Sequence, residues 1–91
     1  MADNPRERHM ERWIQVRVAD GLFPSERTVY LPTVDGDLSL FVSKTQVDEA
    51  RQALRVIVLD QNDEFLLLQV PAQGSSTVAK MRRAAVRFAA G

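Results

Sequence analysis

From Trp13 onward, apolar residues recur at every second position over most of this chain. Ile14, Val16 and Val18 alternate with Gln15 and Arg17, which predicts a strand with one buried face. Asp20-Gly21 ends it, and Leu22-Phe23-Pro24-Ser25 reads as a loop. Val29 and Leu31 alternate with Thr28 and Tyr30 as far as Pro32, which cannot donate to a ladder and marks a strand end or edge. Asp35-Gly36 is a turn signal compatible with a type I′ hairpin, and Leu38, Leu40 and Val42 carry the alternation into a third strand.

The period then changes twice. Ser43 with Gln46 resembles a capping box, and Val47, Ala50 and Leu54 follow at i, i+3, i+7, so the spacing predicts a short helix over 44–53. Alternation returns over 54–59 and 64–70, around the turn Asp60-Gln61-Asn62-Asp63, as an antiparallel hairpin that is apolar on both faces. Beyond Pro71 and Gly74, Ser75-Ser76-Thr77 offers caps to VAKMRRAAVRFAA, a run rich in helix formers. Read as a helix, it carries Val78, Met81, Ala85 and Phe88 on one stripe and Lys80, Arg83 and Arg87 on another.

The expectation is therefore an α+β domain of order βββαββα. It is a small bent antiparallel five-stranded sheet or barrel with a short central helix and a C-terminal amphipathic helix. Residues 1–11, polar and holding Pro5, are expected to form a mobile N-terminal segment ahead of a single β-rich domain over 12–91. A second pattern competes with this one. Ile14-Gln-Val-Arg-Val-Ala-Asp20 matches Leu54-Arg-Val-Ile-Val-Leu-Asp60 at an offset of 40, and Leu31-Pro32 matches Val70-Pro71 at 39. A tandem repeat of three strands and a turn would make 77–81 a strand. Helix propensity favours the helix.

Composition narrows the chemistry. Ninety-one residues make one domain, and the absence of cysteine excludes disulfides, thiolate metal sites and a cysteine nucleophile. With 45% apolar and 26% charged residues the chain is globular in type. No run approaches a membrane span and no signal peptide opens it, so no membrane and a cytoplasmic home are the expectation. Twelve basic residues cancel twelve acidic ones, but unevenly. Residues 13–70 hold five positive against nine negative charges, while 71–91 hold four positive charges and no acid. Such asymmetry is a cue for interaction.

No catalytic, cofactor-binding or metal-ligating residues stand out, and no enzyme or cofactor is expected. The acids Asp35, Asp37, Asp60, Asp63 and Glu64 sit in turns, where carboxylates are chosen for turn geometry. The lone histidine, His9, lies in a charged segment, and no glycine motif cradles phosphate. Four surfaces merit attention. Leu22 and Phe23 form a loop tip that is either a binding element or, as favoured, a plug closing one end of the fold. Trp13, Tyr30 and Phe41 fall outside the apolar rows, beside Arg17 and Arg27. Ile57, Leu59, Phe65 and Leu67 form an outer hairpin face to be covered by Val78, Met81 and Phe88 of the helix or by a second subunit. Lys80, Arg82, Arg83 and Arg87 form a basic patch expected to dock on the acidic body.

These features point to a non-enzymatic interaction or assembly module. It would self-associate as a homodimer or dock on a protein partner. The alternative is a small nucleic-acid-binding barrel using the basic C-terminal helix.

Overall fold

At Val16 one extended segment changes sheet. The computed structural model describes residues 10–72 and 74–89; the greater part of the expected N-terminal segment, residues 1–9, lies outside them. Strand β1 (Met10–Gln15) pairs antiparallel with β6 (Ala53–Gln61), whereas β2 (Arg17–Asp20) pairs with β3 (Glu26–Thr33). β3 pairs in turn with β4 (Gly36–Ser43), completing a three-stranded meander. The other sheet runs β1-β6-β7-β8, with β7 at Phe65–Ala72 and β8 at Ser75–Arg82. The two-residue strand β5 (Val47–Asp48) pairs Ala53 and Leu54 on the edge of β6 opposite β1. Both sheets are antiparallel and neither closes into a barrel.

The expected α+β architecture is overturned, because both helices are absent. At the central one, Ser43 does cap, but it accepts from the Thr45 amide (3.3 Å), and one 3₁₀ turn (Lys44–Gln46) is all that follows. Val47 is drawn into extended pairing with Leu54, which removes the residue that would start a second helical turn. At the C-terminus, eight residues of β8 pair with β7 and only Arg83–Ala85 form a 3₁₀ turn. Ala79 and Met81 point inward while Val78, Lys80 and Arg82 point outward, a period of two. Pairing with an apolar neighbour strand overrode local propensity. The turn after β3 also departs from expectation: only Gly36 has a positive φ (114°), whereas type I′ needs two such residues.

The tandem repeat is present. β7 begins 39 residues after β3, β8 begins 39 after β4, and the 3₁₀ turns at Lys44 and Arg83 are again 39 apart. In the antiparallel β1–β6 pair, Ile14 faces Leu54, its counterpart at an offset of 40. An antiparallel pair has a local two-fold axis, so this contact sets an approximate dyad for the whole domain. Other contacts fall in pairs about the dyad. β3 touches β8 and β4 touches β7; Val47 pairs with Leu54, and Phe88 bridges Ile14. The last pair is two residues out of step, since Phe88 lies 41 residues after Val47.

Core positions are doubled in the same way. Ile14 and Leu54, Val16 and Val56, Val29 and Leu68, Leu31 and Val70, and Val42 and Met81 are all buried. The first two pairs stand 40 apart and the others 39. The change falls between β2 and β3, where five residues (21–25) stand against four (61–64). That loop is where the halves diverge.

Candidate functional site

The loop over 21–25 is short, and its backbone is held at nearly every residue. The Gly21 amide donates to the Glu26 carbonyl (3.2 Å), and the Glu26 amide donates to the Phe23 carbonyl (3.0 Å). Glu26 is the buried acid of the fold among the described residues, and its Oε1 accepts the Leu22 amide at 2.9 Å. The Arg27 guanidinium donates to the carbonyls of Pro24 (2.9 Å) and Glu26 (2.8 Å) and pairs with Glu49 at 3.1 Å. Lys44 N donates to the Ser25 carbonyl at 2.8 Å. A Cβ at Gly21 would stand 2.7 Å from the Glu26 backbone, so only glycine permits this closure. Gly21→Ala is accordingly expected to cost about 1–3 kcal/mol, as overpacked sites do, read from a urea midpoint.

While the backbone is held, the side chains are not. Leu22 is 73% exposed and Phe23 64%. The plug reading of Phe23 is therefore overturned, because the ring stands largely in solvent and is not part of the core. In the second half the equivalent loop is polar. Its Asn62 side chain accepts the amides of Glu64 (2.8 Å) and Phe65 (2.9 Å). Sequence alternation could not separate plug from tip, because both require large apolar residues in a loop.

The outer face of β6-β7-β8 is the other apolar surface. Ile57, Leu59, Phe65 and Leu67 are half-buried there, with no helix over them. The Lys80 ammonium lies 4.3 Å and the Arg82 guanidinium 5.8 Å from the Phe65 ring centre, cation–π contacts that shield one side of it. Val78 is 56% exposed on the same face. Met81 is withdrawn from this surface because it lies in the core, 1% exposed. Phe88 is withdrawn too: it pairs with Ile14 at the β1 edge, with the Arg12 guanidinium 4.0 Å above its ring. Between the β6–β7 turn and this face lies an open depression of about 240 Å³, lined by Asp60, Gln61, Asn62, Phe65, Leu67 and Lys80.

The basic patch is not one patch. Lys80 and Arg82 flank Phe65, whereas Arg83 turns to the β6–β7 loop and donates to Gln61 Oε1 at 2.7 Å. Arg87 stands at the opposite edge of the sheet, where its carbonyl accepts the Gln15 amide. The C-terminal segment docks on its own body, but as β8 and through main-chain pairing. The helix-borne stripe of three cations does not exist. The outward aromatics are likewise dispersed, Trp13 beside Arg51 (5.7 Å) and Tyr30 beside Arg17 (4.8 Å).

Among the described residues, no group of three or more His, Asp or Glu side chains could hold a metal ion, and no helix is long and apolar enough to cross a membrane. Arg51 donates to Asp48 Oδ2 at 2.7 Å and holds this carboxyl below the usual range. A depressed carboxyl pKa stabilises the fold above the ordinary Asp range and loses that contribution as pH falls through the folded value. That pair shapes the turn before β6 and adds nothing to a site.

Fold and surfaces together define a small all-β domain, two duplicated antiparallel meanders carrying an apolar loop tip and an apolar outer face. Compared with protein families, curated proteins and solved structures, the chain matches none of them.

Proposed function

We propose that this chain is a non-enzymatic interaction module that associates through its Leu22-Phe23 tip with a protein surface, a second copy of itself included. The observation that carries this is the contrast within one loop. Two adjacent large apolar side chains project into solvent from a backbone braced by a buried glutamate. Scattered surface hydrophobics need no explanation, but a pair presented this way has the attributes of a contact anchor. Aromatic anchors dominate binding energy at interfaces, and a pre-ordered loop avoids the ordering cost of association.

The test is Phe23→Ala. A plug would cost about 3 kcal/mol or more on truncation. A projecting anchor costs less than about 1 kcal/mol, in the range of ordinary surface changes. We expect the small value, from urea unfolding of both proteins, together with loss of association in light scattering. A loss of stability near 3 kcal/mol would return Phe23 to the core and remove the proposal.

A further inference from the structure

The duplication makes the molecule polar. Taking residues 13–52 and 53–91 as the two halves, the first holds four basic and six acidic residues, net −2. The second holds five basic and three acidic residues, net +2. The apolar tip lies between β2 and β3 of the acidic half, and the open depression lies beside the β6–β7 turn of the basic half. Those two loops exchange under the approximate dyad, so tip and depression face away from each other across it. Where one half carries a protruding Leu22-Phe23 pair, the other carries a shorter polar turn and a concavity.

We infer that the tip of one copy seats in the depression beside Phe65 and Leu67 of a second copy. This rests on the interaction-module reading above and supplies its partner. The depression, about 240 Å³, is smaller than the roughly 300–1,000 Å³ of drug-sized ligand sites, and its scale suits one or two side chains. Its walls offer an entering phenylalanine the Phe65 ring for offset or edge stacking and the Leu67 side chain, beside the polar Asp60, Gln61 and Asn62 and with Lys80 already over Phe65. Around the depression Asp60, Asp63 and Glu64 balance Lys80, Arg82 and Arg83, so shape and apolar contact, not net charge, carry the docking. Each copy carries one tip and one depression, so the contact is heterologous. Because tip and depression face away from each other, two copies cannot satisfy both contacts at once, and repetition builds rings or filaments.

Complementation tests this directly. Phe23→Asp spoils the tip and leaves the depression; Leu67→Asp does the reverse. Lys80→Glu, at an exposed position, serves as a second depression variant should Leu67→Asp fold poorly. Wild-type mass in light scattering is expected to rise above one chain with concentration. Each variant alone is expected to stay at one chain. An equimolar mixture of a tip and a depression variant is expected to recover a species of two chains, since one sound contact remains between them. An unrestored mixture beside an associating wild type would overturn tip-in-depression docking while leaving association through another surface. A wild type that remains a single chain while Phe23→Asp keeps its full stability would overturn self-docking but leave the tip free for another protein. Failure of the broader reading is distinct: Phe23→Asp would then lower the urea midpoint sharply.

Discussion

Removing residues 75–91 is expected to abolish cooperative folding. The truncation deletes β8, which takes all eight pairing partners from β7, and it removes Ala79 and Met81 from the core. It also removes the Phe88 bridge to Ile14 and the Arg87 carbonyl that accepts the Gln15 amide. β7 would become an edge strand with Leu66, Leu68 and Val70 bared on one face and Phe65 and Leu67 on the other, a template for aggregation. Single domains are stable by only about 5–15 kcal/mol, less than the loss of a core strand takes away. Circular dichroism should show no sigmoidal thermal transition. A truncated chain that melts cooperatively near the full-length midpoint would mean that β8 is an appendage.

The second large effect is expected at the dyad. Ile14 and Leu54 face each other across β1 and β6, both without exposed surface, and Leu54 also pairs with Val47. Leu54→Ala should cost about 2–5 kcal/mol and Ile14→Ala a similar amount, as fully buried aliphatic truncations do. Because the two side chains meet in one place, the double variant should depart from the sum of the singles by about 0.5–3 kcal/mol. Urea titration of the four proteins measures this. Strict additivity would show that the two halves contribute separate cores.

The strands of the first half were readable because alternation there is clean. Ile14, Val16, Val29, Leu31 and Val42 are all buried, and each is flanked by less buried residues. The C-terminus was misread for a specific reason. Val78 and Ala79 are adjacent and both apolar, which hides the alternation that places Ala79 and Met81 inward. Ala, Lys, Met and Arg also favour helices when nothing pairs with them. What opposes a helix there is non-local: β7 needs a partner, and the offset of 39 sets Val42 against Met81. Similarly, Val47 at helical spacing from Leu54 is in fact its cross-strand partner. A contact seven residues apart can be made by either structure, and only the register decides. At the site, the tip residues were singled out from the sequence but assigned the opposite orientation. What holds them outward is the buried Glu26 carboxylate on the Leu22 amide, and no local pattern announces that an acid in a strand is buried to brace a loop.

The duplicated fold thus gives two equivalent frames, and the two loops at their corresponding ends have been made different. One is an apolar projection and the other a polar turn beside a depression. Specificity for a second copy then comes from the unlike shapes of the two ends.

Tip-in-depression docking fixes where Phe23 goes when the protein is concentrated. A photo-reactive phenylalanine placed at position 23, in a mixture of isotopically heavy and light chains, reports this by mass spectrometry after irradiation. Cross-links between a heavy and a light chain are expected, landing on residues 60–67 or Lys80 of the second copy. Cross-links confined to one chain, running from position 23 into core residues such as Val29 or Val42, would contradict it.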